Sequence, residues 1–378
     1  MKWIKIVGKI IAALLLVLLV AAVVLYWTVL RYPNLKENPK VGKWYRVAGS
    51  AMKDSEGNRY HALFKKGSEN NVMIYFAGGG VSINEETSRD DTYNTRMVWP
   101  DLLANVTMNM GGLASGMEDS PFENWSILLF PYATGDFHAG TGEFRYTDTD
   151  GSEKTLYHNG YVNYSAAMEQ ALARAGIEHA ESVVVTGYSA GGFASALLAG
   201  DVFANYFPNA ASKTVLIDSA LLLHEDWHDI AANVWQTPQA ISGKLTGDNL
   251  TLDCLTALRE AYGADIHLLF TCSTRDGDLA KVQNYFDTGA MEVDEPQADR
   301  FQQLLCDTVP QMKEIGGSLF LWDGIPWYDD PKDLTAHTII ATPAVWLPFD
   351  GPGQSVAGWL ADAVNGVERD YGMELVRD

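Results

Sequence analysis

The sequence has few cysteines, no basic run beyond its first nine residues, no internal repeat and no low-complexity tract. Cys254, Cys272 and Cys306 are too few and too widely spaced for a metal cage or a disulfide framework; one disulfide with a leftover thiol and three free thiols both fit. Cations are scarce, 27 Lys and Arg against 48 Asp and Glu, which argues against nucleic acid as a partner because phosphate neutralisation needs grouped positive charge. Acidity this general reads as a solvated surface, and it disfavours a polyanionic substrate unless the cleft is locally basic. What is present is apolar material, 47% of 378 residues with 11% aromatic, enough for one large core or two smaller ones.

One hydrophobic run stands apart. Ile10 to Leu30 is 21 residues without a charge, which as a helix spans roughly 30 Å, the thickness of a bilayer core. Lys2, Lys5 and Lys9 precede it, so the positive-inside bias puts the amino terminus in the cytoplasm and the rest of the chain outside. Tyr26, Trp27 and Tyr32 gather at its outer end, where amphipathic rings favour the interface. A cleaved signal peptide ending near Ala21 and Ala22 is the competing reading, but apolarity continues through Val23, Val24 and Leu25. The expectation is residues 1–32 as a cytoplasmic stub and transmembrane anchor, and 33–378 as one extracytoplasmic catalytic domain at the cell membrane. Tyr32 to Lys43, with two prolines and two asparagines, reads as a linker or leading loop.

Beyond it, short β-branched runs alternate with longer helical segments, the pattern of a mainly parallel sheet flanked by helices. Four runs predict buried strands: Val72 to Phe76, Ser126 to Phe130, Val183 to Thr186 and Ile266 to Thr271. Each is followed by residues of the kind that build sites: Gly78-Gly79-Gly80, Thr134-Gly135-Asp136, Ser189 and Asp276. Ligands bind beyond the carboxyl ends of strands in such sheets. Thr214 to Ile217 and Ser318 to Trp322 bring the sheet to six or more strands, Asn163 to Ala175 predicts a helix before the third run, and Ser355 to Val364 a closing helix.

A serine hydroxyl needs an exposed position, a base, and donors for the oxyanion it creates. Val183-Val184-Val185-Thr186-Gly187-Tyr188-Ser189-Ala190-Gly191-Gly192 supplies the position: strand, sharp turn, then helix, with glycine two residues before and two after Ser189. Oxyanion donors are expected from the amide of Ala190 and from the Gly78-Gly79-Gly80-Val81 loop, through Gly80 and Val81. No Lys-Ser or Lys-Thr follows that loop, so a phosphate-loop reading is weak. The acid follows a late strand, with Asp276 preferred over Asp278, which can instead cap the next helix. His337 is the one histidine of eight late enough in the chain to be the base. His267 alternates within a strand and reads as a core histidine. His224 and His228 are spaced for a metal pair with Glu225 between them, but no third ligand is identifiable.

These residues resemble the pectin acetylesterase family, which includes the Notum-type deacylases. Four stretches carry the resemblance: Phe76 to Val81, Phe130 to Gly140, the Gly187 to Gly192 elbow with Ala194-Ser195, and Asp218-Ser219; His158 to Asn163 is similar too. The resemblance covers roughly residues 70 to 220 and more weakly onward to Ala341. It implies an α/β-hydrolase-like fold and a serine esterase acting on O-acyl groups without metal or organic cofactor, with Ser189, Asp276 and His337 as triad and Gly80, Val81 and Ala190 around the oxyanion. Family members usually carry Trp-Cys at Val81-Ser82 and Cys at Ala133, Tyr188 and Thr338, so the usual disulfides are absent here and one wall near the acyl group differs.

The resulting expectation is a serine carboxylesterase removing O-acyl, chiefly O-acetyl, groups from an extracytoplasmic substrate such as a polysaccharide. Gly79, Asp136 and Asp218 are candidate substrate-binding residues, although Asp136 and Asp218 can equally fix loops through backbone hydrogen bonds. A long-chain deacylase, an O-acyltransferase and a catalytically silent binding protein are the alternatives.

Overall fold

The computed structural model describes residues 13–20, 32–89, 92–109, 111–115, 119–349 and 353–376. Of the expected membrane segment, residues 13–20 are helical and exposed, and the remainder lies outside the described residues. Among the described residues no helix is long and apolar enough to cross a membrane. Tyr32 to Lys43 is indeed irregular, but it is no free linker: Leu35 is buried, and isolated bridges join Asn34 to Arg46 and Val41 to Lys66.

Among the described residues the main sheet has eight strands. In chain order they are β1 (Trp44–Val47), β2 (Ala62–Lys65), β3 (Asn71–Phe76), β4 (Ser126–Phe130), then, after the separate hairpin β5 (Glu143–Thr147) and β6 (Glu153–Tyr157), β7 (Ser182–Tyr188), β8 (Ser212–Asp218), β9 (Ile266–Ser273) and β10 (Ser318–Trp322). In space the order is β1-β2-β4-β3-β7-β8-β9-β10. From β4 to β10 every pairing is parallel, while β1 and β2 form an antiparallel margin. The two marginal strands are four residues each and escaped the sequence reading, which found the other six. Arg46 and Lys65 interrupt their apolar pattern, and Lys65 is accommodated by donating to the carbonyl of Glu123.

Strands covered on both faces read as nearly unbroken apolar runs. Alternate residues supply two cores. Ile74, Val185, Ile217 and Phe270 face one, closed by helices Gly160–Ala175, Ala190–Asp201, Leu250–Tyr262 and Gly277–Thr288. Met73, Val184, Leu216 and Phe320 face the other, closed by helix Val356–Val364 and residues 339–345. Ser355 starts that last helix as its cap, its side chain accepting the N–H of Gly358. Because β3, β7, β8 and β9 run parallel, the loops that follow them emerge at one edge.

Candidate active site

At that edge β7 turns sharply into helix Ala190–Asp201. Ser189 sits on the turn with φ 54° and ψ −126°, a backbone state that persists only where the surroundings over-determine it. Here they do: Ser189 N–H donates to the carbonyl of Asp218 at 2.9 Å, and the Ser189 carbonyl accepts from Gly192 and Phe193. The flanking glycines are required by close approach. A Cβ on Gly191 would lie 2.0 Å from the Phe76 carbonyl oxygen, and one on Gly187 would lie 2.2 Å from that of Gly191.

Ser189 opens onto a cavity of about 730 Å³, whose wall includes Gly78, Gly79, Gly80, Val81, Ala190 and His337. All three expected oxyanion residues are therefore on the wall, as is Gly79. The Gly78 to Val81 loop is anchored, since Ser82 N–H donates to the Gly135 carbonyl and Trp235 Nε1 donates to the Ser82 carbonyl.

The structure brings Asp276 and His337 together. His337 Nδ1 lies 2.8 Å from Oδ2 and 2.9 Å from Oδ1 of the fully buried Asp276. Their two loops are stitched by further bonds: Thr335 N–H to the Arg275 carbonyl, Arg275 N–H to Thr335 Oγ1, and Ser273 Oγ–H to the Ala336 carbonyl. Asp276 is also the cap of helix Gly277–Thr288, its Oδ1 accepting the amides of Asp278 and Leu279. The residue that caps is thus Asp276 itself; Asp278 stands in the first turn, on the cavity wall. Burial alone would depress the imidazole, but the Asp276 carboxylate more than reverses this, with smaller help from Asp278 and Asp218, and holds His337 up at about 9. Nε2 of His337 and Oγ of Ser189 each lack a hydrogen-bond partner among the described residues, so the contact that would close a proton relay is not made in this arrangement.

Two expected substrate-binding residues do not line the cavity. Asp136 and Asp218 are fully buried beneath it. Asp136 accepts the Thr134 hydroxyl and the amides of His138, Gly140 and Gly160, fixing the β4 loop to the start of helix Gly160–Ala175. Asp218 accepts amides of the loop after His337. Both carboxylates accept from donors of the protein, the loop-fixing alternative that the sequence also allowed.

His138, His267 and His224 pack or pair within the protein. His138 is buried against Phe76 and Tyr132 with Nε2 on the Ala77 carbonyl, and burial pushes it down to about 4, so it stays neutral. His267 departs from its expected core placement: it is half-buried and paired with Glu368. His224 packs on Phe286 while His228 is exposed, and among the described residues no three His, Cys, Asp or Glu are grouped to hold a metal.

Sequence reading did not identify the apolar wall, which includes Phe137, Phe193, Leu222, Val282, Phe286 and Met291. Phe137 stacks on Phe193 with centroids 4.5 Å apart. The one available signal was the i, i+4 pair Val282 and Phe286 on the helix after the acid, and that spacing equally describes core. Lys281 is the sole Lys or Arg on the wall among the described residues and shares it with Asp278, so the cleft is not locally basic.

A family model described as Pectinacetylesterase matches residues 54–261, more than half of the chain. The matched stretch includes Ser189 and the glycine loop but ends before Asp276 and His337. Pectin acetylesterase 4 of Arabidopsis thaliana is 28% identical over 189 residues, 49% of this chain and 44% of that protein, so the chain spans less than half the length of this relative. The crystal structure of the Wnt deacylase Notum from Drosophila superposes with a TM-score of 0.59 at 14% identity, covering 88% of this chain and 97% of that one, a likeness of fold.

Proposed function

The chain belongs to the pectinacetylesterase family, and from that premise we propose that it is a serine carboxylesterase working through Ser189, His337 and Asp276. The observation that carries the reading is His337, bonded to the buried Asp276, on the wall of the same cavity as an elbow serine. His337, held by Asp276 through Nδ1, takes the Ser189 proton on Nε2 as the hydroxyl attacks an ester carbonyl. The amides of Gly80, Val81 and Ala190 receive the developing oxyanion. The imidazolium then protonates the departing alcohol, and water activated by the neutral imidazole releases the acid from the acyl-enzyme. The relay closes in the substrate complex, where catalytic hydrogen bonds often first tighten.

The substrate is an O-acyl ester, with an O-acetylated polysaccharide outside the cytoplasm as first choice and the Ile10 to Leu30 segment as membrane anchor. One observation favours a second reading. A 730 Å³ cavity whose wall includes Phe137, Phe193, Leu222, Leu279, Phe286 and Met291 exceeds what an acetyl group fills, which suits a longer acyl chain. Ser189→Ala assayed on a short-chain aryl ester tests the mechanism: a loss on the order of a thousandfold or more in kcat is expected, and undiminished hydrolysis rejects it. Relative kcat/KM on acetyl and octanoyl esters separates the two substrate readings.

A further inference from the structure

Asp218, which the chemistry above leaves unused, touches two of its segments at once. Its carbonyl oxygen accepts the N–H of Ser189 at 2.9 Å. Its carboxylate Oδ2 accepts the amides of Ile339 at 2.7 Å and Ile340 at 2.9 Å, on the loop that carries His337. Oδ1 accepts the Ser219 hydroxyl at 3.0 Å, and Ser219 Oγ in turn accepts the N–H of Thr338 at 3.2 Å. Three consecutive amides after the base therefore end on two adjacent residues of β8 and its exit, one of which also holds the nucleophile turn.

Backbone conformation points the same way by an independent route. Ser189 (φ 54°), Ser219 (φ 51°) and Thr338 (φ 64°) all occupy the left-handed region without being glycine. Non-glycine residues stay there only when neighbouring contacts hold them, and such strain collects at functional sites. All three meet at this junction. Ser219 N–H donates to the Thr271 carbonyl at 2.9 Å, which roots the arrangement in β9, the strand that leads to Asp276.

We infer that Asp218 and Ser219 are positioning residues, a buried clamp that sets the separation between the nucleophile turn and the base loop. The inference rests on the triad reading, because the clamp has catalytic meaning only if Ser189 and His337 exchange a proton. Its charge is also felt by the base, since Asp218 is among the groups that raise His337. Burial pushes Asp218 up to about 6 despite the opposing amides of Ile340 and Ile339 and the nearby His337; Tyr75 and Cys272 are the other titratable groups that feel it.

Two variants test this. Asp218→Asn keeps one oxygen for Ile339 and Ile340 but turns an NH2 group against Ser219 Oγ, which already accepts from Thr338. Ser219→Ala keeps the left-handed backbone and removes only the hydroxyl. Each is expected to lower kcat about tenfold or more with KM within about twofold, because sub-ångström misplacement of reacting groups acts on the chemical step. Labelling of Ser189 by a fluorophosphonate slows in parallel. In Asp218→Asn the acid limb of kcat/KM also moves to lower pH, since a charge that raises His337 is gone; a loop support with no bearing on the base leaves that limb in place. Unchanged kcat, labelling and acid limb in the folded variants overturn the clamp, even if Tm falls. Should Asp218→Asn not fold, Ser219→Ala decides by the same kcat and labelling readouts. Retained activity in Ser189→Ala is a separate outcome that removes the triad reading itself.

Discussion

The proton balance of His337 gives the sharpest prediction. A general base must be neutral before it can accept a proton, and Asp276 holds this imidazole at about 9 against an ordinary 6.5. At pH 7 the neutral fraction is therefore roughly one in a hundred. For the wild-type enzyme, kcat/KM on a short-chain aryl ester should climb about tenfold per pH unit from pH 6 to 8 and level off near 9. Asp276→Asn removes the opposing charge and leaves burial in control, so the acid limb should fall below 6.5. The plateau should drop on the order of ten-thousandfold because the ring loses the partner that fixes its tautomer. Linkage gives a companion sign: a folded value raised above the unfolded one stabilises the protein fully below about 6.5, and this is lost as pH rises through about 9, on the order of 3 kcal/mol in all. Initial rates from pH 5 to 10 at constant ionic strength, corrected for spontaneous hydrolysis, are the assay. A wild-type acid limb at or below 6.5, or an undiminished plateau in Asp276→Asn, refutes the claim that this carboxylate governs the working base.

Gly191→Ala should give no active enzyme, since its Cβ would sit 2.0 Å from a backbone oxygen of β3 that cannot retreat without breaking the sheet; soluble variant with normal turnover contradicts the elbow geometry. Val282→Trp, filling the apolar wall of the cavity, should depress octanoyl ester kcat/KM about tenfold or more relative to acetyl ester; equal losses on both would place the acyl group elsewhere.

The parallel strands were legible because burial on both faces demands nearly continuous apolar residues, as in Ile266–Ser273 and Ser318–Trp322. Their ends were not, since Ser182, Gly187 and Tyr188 extend β7 with residues that read as turn. The placement of Ser189 and the glycine loop on one cavity wall was legible because each directly follows a strand, and strand ends share an edge; His337 was picked out instead as the one histidine late in the chain. What stayed ambiguous was direction. An aspartate at a strand end looks the same in sequence whether it aims at the cleft or beneath a loop; Asp276 reaches the imidazole, whereas Asp136 and Asp218 turn under the surface and bind amides. The apolar wall is assembled from Phe137, Leu222 and Val282, which are far apart in the chain and individually indistinguishable from core.

Those buried carboxylates also explain how the edge is held without cross-links. Cys254, Cys272 and Cys306 are all free, and two of them are buried. The site loops nevertheless take tightly defined paths: Asp136 and Asp218 gather two or three backbone amides, reaching Gly160 and the Ile339-Ile340 loop, while Asp276 caps its own helix and holds the His337 ring. A hydrogen bond to a charged acceptor is roughly twice as strong as a neutral one, so two or three per loop are comparable with a disulfide, whose removal typically costs 2–5 kcal/mol. The stability of this fold should then be indifferent to redox conditions: excess reductant should shift Tm by less than about one degree. A drop of several degrees would mean that a cross-link, not these carboxylates, carries the load.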